Sequence, residues 1–152
     1  MFDSVRQLWQ PEALAILRIS TALIYLQHGL QKLISFPVPP LPGYQLASLA
    51  GLAGVMEVVA SPFLLIGLFT RAWSFLMSGL MAVAYLIGHA GKGFYPIANG
   101  GDVAVLCCFI FLYLSAAGGG AWSVDGFLAA RSKQKVVLPG VASSLTGATA
   151  DL

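Results

Sequence analysis

Charge is what this chain lacks most. Only 9% of its 152 residues are Asp, Glu, Lys or Arg, against about 25% in an ordinary soluble domain. With 58% of residues hydrophobic, a water-facing surface cannot be assembled. The net charge of +2 is small and dispersed, and no basic run is present to neutralise phosphates, which excludes a nucleic-acid partner. Cysteine is nearly absent. Cys107 and Cys108 are adjacent inside an apolar run; neighbours rarely pair and no C-x-x-C spacing exists, so they read as small buried hydrophobes and not as a redox pair. The two histidines, His28 and His89, sit in neither H-x-x-x-H nor H-E-x-x-H, so no metal site is expected. No G-x-G-x-x-G, P-loop or G-x-S-x-G occurs, which argues against nucleotide binding and serine-nucleophile hydrolysis.

What is present is long apolar runs. A membrane span needs about 20 mostly apolar residues, and the chain supplies four candidates, at about 12–33, 44–69, 72–89 and 102–117. This predicts an all-α protein, an integral membrane four-helix bundle in contact with the lipid bilayer. Pro11 is placed to open the first helix. Pro37, Pro39, Pro40 and Pro42 make the first loop a stiff, extended turn. Thr70 and Arg71 alone separate the second and third spans, which must be antiparallel. Gly118, Gly119 and Gly120 end the fourth. Residues 1–131 are expected to form the membrane domain, and the polar stretch 132–152 a disordered tail. The N-terminus, with Asp3 and a single Arg6 before a run that contains Arg18, does not read as a cleaved signal peptide.

Orientation follows from positive charge. Arg6, Arg71, Arg131, Lys133 and Lys135 share one side, and Lys32 and Lys92 lie on the other. Both termini are therefore expected in the cytoplasm of a bacterial cell, with the chain multi-pass in the inner membrane. Trp9, Trp73 and Trp122 would mark the cytoplasmic interface, and Tyr44, Phe94 and Tyr95 the outer one.

The first span carries the polar groups that need explaining. Arg18, Thr21, Tyr25, His28 and Lys32 fall within roughly 80° of arc at about 100° per residue. A charge in hydrocarbon costs about 2.5–3.5 kcal/mol or more, so such a stripe faces a bundle interior or a wet cavity. Counting about 1.5 Å per residue, Arg18 lies roughly 21 Å from Lys32, and Glu57 roughly 20 Å from Tyr44. Matched depths predict an Arg18–Glu57 ion pair, either a structural pair fixing helix register or the floor of a ligand site. Nearer the outer surface His28, Lys32, Tyr85, His89, Asn99 and Asp102 are expected to converge. His28, Lys32 and His89 are the candidates for proton transfer and catalysis; Arg18, Tyr25, Glu57, Tyr85, Asn99 and Asp102 are candidates for ligand binding. Plainer roles stand beside these: a snorkelling Lys32, a C-terminal helix position for His89, a helix-start role for Asp102.

At these residues the chain resembles the DoxX family of small four-span membrane proteins. The first span reads "LRISTALIYLQHGLQKL", with the family's Leu-Arg start and His-Gly-x-x-Lys end. The second reads "GLAGVMEVVASPFLLIGLFTR", with a Gly-x-x-Glu segment closing on Gly-Leu-x-Thr-Arg. His89 and the run Asn99-Gly100-Gly101-Asp102 are similar to the family's His and Asn-Gly-Gly-Glu region, with Asp102 where Glu is usual. "GGGAWSVD" is similar to its Gly-rich Trp-Ser-x-Asp ending. The likeness covers about residues 13–127. It implies a four-helix membrane bundle and an association with quinone-linked oxidation or with oxidative and thiol stress. The chain has no haem ligand pair, iron–sulfur cysteines or flavin fingerprint of its own. The expected role is thus a membrane subunit of an oxidoreductase system, with no covalent cofactor, that binds a quinone or small organic ligand and takes electrons from a soluble or membrane oxidoreductase partner. The alternative is a non-catalytic protein that binds or carries a small molecule or assists assembly of a partner.

Overall fold

The computed structural model describes residues 2–40 and 45–134, with side chains from Trp9 onward. Four long helices form: α1 (Phe2–Ile34), α2 (Leu49–Ile66), α3 (Thr70–Gly88) and α5 (Asp102–Ala117), with a one-turn helix α4 (Pro96–Asn99) before α5. A further helix, α6, spans 124–134. No strand occurs among the described residues. The protein is all-α. The stretches Trp9–Ile34, Leu49–Ile66 and Thr70–Lys92 are long and apolar enough to cross a bilayer, and Asp102–Ala117 is a shorter apolar helix. The expected tail lies almost wholly outside the described residues; its first three, 132–134, are helical. Tyr44 and Pro42 also lie outside them.

α1 packs along α2, and α3 along α5; the two pairs meet through α2 and α3, while α1 and α5 touch at few points. Apolar side chains point outward on every long helix: Ile16, Leu23, Leu52, Val59, Phe75, Leu86, Leu106 and Phe109 are all exposed. A surface of this extent is stable only against lipid. The interior holds what the outside lacks. Arg18, Thr21, Glu57, Ser61, Thr70, Ser74, Ser78 and Asn99 are buried beside Ala15, Ala22, Ala60, Met77 and Phe111. Hydrophobic burial cannot drive helix association in lipid, so close packing of small side chains and interior hydrogen bonds must do so.

Two sequence expectations about helix ends are corrected. Pro11 does not open α1; the helix begins at Phe2 and passes through it. A proline inside a helix lacks the N–H that would bond the carbonyl four residues back; separately, the Pro11 carbonyl accepts the Ala121 N–H at 2.9 Å and ties α1 to the chain beyond α5. α2 begins at Leu49, not near Tyr44, with Ser48 as its N-cap accepting from the Gly51 N–H. It ends at Gly67, whose φ of 70° lets the Gly67 and Leu68 amides fold back onto the Leu64 and Phe63 carbonyls.

One end of the bundle is tied together by helix capping. Both Asp125 carboxylate oxygens accept backbone N–H bonds, from Phe69 at 2.9 Å and Thr70 at 2.8 Å. A negative charge thus sits at the N-terminus of α3, where the dipole favours it. Arg71 does the converse, donating to the Ser115, Ala116 and Ala117 carbonyls at the C-terminus of α5. The Asp125 N–H also reaches the Gly67 carbonyl at 3.0 Å. These bonds bring α6, the α2–α3 turn and the end of α5 to one level.

Candidate functional site

Arg18 belongs to this end. It is completely buried. Its Nε donates to the Gly119 carbonyl at 2.9 Å, Nη1 to Leu64 and to Leu65 at 2.7 Å, and Nη2 to Trp122 at 3.0 Å. The guanidinium therefore adds a second donor to the Leu64 carbonyl, supplies one to the Leu65 carbonyl in the last turn of α2, and joins that turn to the chain beyond α5. The expected Arg18–Glu57 ion pair does not form. The depth count placed the start of the second span at Tyr44. Because α2 starts at Leu49, Glu57 is eight residues in, roughly 12 Å along the helix, while Arg18 stands opposite the far end.

Glu57 pairs with Lys32 instead. Lys32 Nζ donates to Oε1 at 2.6 Å and to Oε2 at 2.8 Å. The Glu57 side chain is 2% exposed and that of Lys32 24%. The sequence builds this pair from two matching tetrads: Gly29-x-x-Lys32 on α1 and Gly54-x-x-Glu57 on α2. A Cβ on Gly29 would lie 2.9 Å from the Gly54 carbonyl oxygen and 2.6 Å from Val58 Cγ2, and one on Gly54 would lie 2.9 Å from Lys32 Cβ. Both positions must be bare for the helices to come this close, and one turn on from each glycine stands the charged partner. We expect Gly29→Val to push α1 off α2 through contact with backbone, lowering detergent stability by about 1–3 kcal/mol. It should also free Lys32 for amine-reactive reagents; unchanged Lys32 labelling would refute this account of the crossing.

The remaining candidates divide. Tyr25 is buried beside the pair's end of the core, its hydroxyl donating to Met81 Sδ at 2.7 Å and its ring edge-on to Phe111 at 5.0 Å. His28 is exposed; its ring lies 5.7 Å from that of Tyr25 and its Nδ1 is 3.0 Å from the Ile24 carbonyl, one turn back. The second cluster joins α3 to the loop before α5. His89 Nδ1 is 3.0 Å from the Asn99 carbonyl, and its ring stacks on Tyr85 with centroids 6.3 Å apart. The buried Asn99 donates through Nδ2 to the Gly93 carbonyl at 2.8 Å and to the Tyr85 hydroxyl at 3.3 Å, while its Oδ1 accepts the Gly101 N–H at 2.9 Å. Asp102 lies exposed in the first turn of α5 behind the N-cap Gly101, and joins neither cluster. The polar residues form a Lys32–Glu57 pair between α1 and α2 and a Tyr85–His89–Asn99 network at the head of α3, not one mouth.

Lys32 also lines a cavity of about 190 Å3 between α1, α2 and α3, with Ala53, Leu80, Ala84 and Gly88 among its walls. It contributes the one charged side chain of that lining. Sequence reasoning did not find this space, because it depends on small residues from two helices facing each other. Nor did it assign partners to Arg71 and Asp125. Their signal was in plain view, a basic residue next to a turn and an acidic residue after a Gly-rich break, but which helix end each answers is a matter of topology.

Comparisons with known proteins give a family for the chain. The DoxX family profile matches residues 13–90, from the middle of α1 to the histidine that ends α3. An uncharacterised Haemophilus influenzae protein is 43% identical over 122 residues, which cover 77% of this chain and 91% of that protein. No solved structure matches. The matched segment contains Arg18, Lys32, Glu57 and His89 together with the glycine tetrads that pair the helices, and the chain belongs to the DoxX family.

Proposed function

We propose that this protein is the membrane subunit of a quinone-linked or thiol- and oxidative-stress oxidoreductase system, holding a quinone-like or small organic ligand in the cavity beside Lys32 and Glu57. The observation that carries this reading is Lys32 on the wall of that otherwise apolar cavity. Ligand sites combine apolar walls with a few polar groups that fix orientation, and ionisable pairs within spans usually mark function. Apolar space of about 150 Å3 admits a benzene ring, so 190 Å3 takes one substituted ring. An ammonium has three donors, and Lys32 gives two bonds to Glu57; the third is available to a ring oxygen. On reduction a quinone takes two electrons and two protons. In this reading Lys32 and Glu57 pass the protons, with the exposed His28 on the same helix as the exchange partner toward water. The electrons are assigned to a partner oxidoreductase or a thiol substrate. The localisation that goes with this reading is the bacterial inner membrane, with the Arg71 end of the bundle and both termini cytoplasmic.

A second reading draws on His28, whose exposed ring is held by its own helix instead of facing the pair. In it the protein only binds or carries a small molecule, or assists a partner's assembly. Equilibrium dialysis of the purified protein against a short-chain quinone analogue tests the first. Wild type is expected to retain one equivalent, and Ala84→Phe, which fills the cavity from the α3 side, to retain none. No retention by wild type, together with a quinone-free solvent extract of the purified protein, would defeat the quinone reading. Uptake of a different co-purified molecule by proteoliposomes would establish the second.

A further inference from the structure

A separate cavity of about 480 Å3 lies between α3 and α5, on the opposite side of α3 from the helix pair that carries Lys32. Its walls are almost wholly apolar and include Tyr85, Leu86, Val105, Cys108 and Phe109; Phe94 and Pro96, from the loop joining the helices, close one end. The rim residues Leu86 and Phe109 are exposed on the apolar outer surface of α3 and α5, so the crevice is open to an occupant dissolved in the bilayer. The Tyr85 ring is held by its stack on His89 and by the Asn99 amide that donates to its hydroxyl. Asn99 is itself anchored at Gly93 and Gly101. The phenol oxygen accepts from Asn99, and the phenol's own proton has no acceptor among the described residues. A fixed donor with an uncommitted proton presents a partial positive charge, which is complementary to an acceptor that needs no proton in return.

We propose that this crevice is a second ligand site, for an uncharged lipophilic carbonyl compound of two-ring size, with the carbonyl accepting the Tyr85 O–H. The volume allows it: about 150 Å3 suffices for one ring, and the space is 480 Å3. The His89–Asn99–Gly101 network then acts to position the phenol, and Cys108 reports on occupancy.

The test uses the full chain in lipid nanodiscs with benzophenone, an aryl ketone of the stated size that inserts into neighbouring C–H bonds on irradiation. Label is expected in peptides containing Met81 and Val105, and bound benzophenone is expected to protect the Cys108 thiol from N-ethylmaleimide. Diphenylmethane, the same two rings without the carbonyl, should protect wild type about fivefold less well, and Tyr85→Phe should lose protection by benzophenone about fivefold, the equivalent of one hydrogen bond. Val105→Trp should abolish labelling and protection. Label spread evenly over the lipid-facing sides of all long helices overturns the proposal. So does equal protection by the ketone and the hydrocarbon, or protection that survives Val105→Trp.

Discussion

Arg18→Leu is expected to lower the melting temperature of the detergent-purified protein by at least about 10 °C, and to reduce its accumulation in membranes. The guanidinium makes four bonds to backbone carbonyls of Leu64, Leu65, Gly119 and Trp122. The Leu64 carbonyl keeps the Gly67 N–H, but Leu65 and Gly119 lose the donor that Arg18 gave them, at about 1–3 kcal/mol for each carbonyl that stays buried. Even two such losses amount to about 4 kcal/mol, and 1 kcal/mol moves a domain of this size by about 2–4 °C or more. The carbonyls belong to segments more than fifty residues apart, so the loss also unties the end of α2 from the Gly119–Trp122 loop. Arg18→Lys should recover less than half of the stability, because a compact ammonium cannot reach acceptors spread around a planar fork. Full recovery with lysine would show that only the charge matters and would contradict the capping role assigned here.

The second large effect concerns Lys32 and Glu57, and its signature is non-additivity. Breaking a buried pair by removing one member costs about 3–5 kcal/mol, while replacing both with apolar or neutral groups is often close to neutral. Lys32→Met should be the more damaging of the single changes. It strands a carboxylate that is 2% exposed, whereas Glu57→Gln leaves an ammonium stem that is 24% exposed and can turn toward the interface. The double variant Lys32→Met/Glu57→Gln is expected to melt within a few degrees of wild type. Thermal unfolding in detergent of the four proteins closes the cycle. Additive losses would show that the two side chains act independently, and the matching glycine tetrads would then lose their explanation.

How much of this could be read from the residue string depends on the kind of information each feature carries. The long helices were legible because lipid demands an unbroken apolar run, which is a local property; the fourth run, placed at 102–117, is the helix α5, Asp102–Ala117, shorter than the three that are long enough to cross a bilayer. The stripe on α1 was legible because helical periodicity is local too: Arg18, Thr21 and Tyr25 are all buried. His28, on the same stripe, is exposed, since the stripe is wider than the contact α1 makes with its neighbours. The partner of each charge was not legible. Depth matching needed the true start of α2, and a shift of a few residues exchanged Arg18 for Lys32 as the answer to Glu57.

The residue string by itself determined that this is a membrane-embedded helical protein with charges on its opening span that must be answered inside. Hydrocarbon requires every backbone polar group to be satisfied internally, which an unbroken apolar run achieves as a helix, and it makes an unpaired ion costly. The tertiary structure alone decided how those charges are answered. One arginine is matched by backbone dipoles at a helix end and one lysine by a carboxylate one helix away. That choice rests on distances of an ångström or two across a glycine-lined crossing, which no one-dimensional pattern specifies.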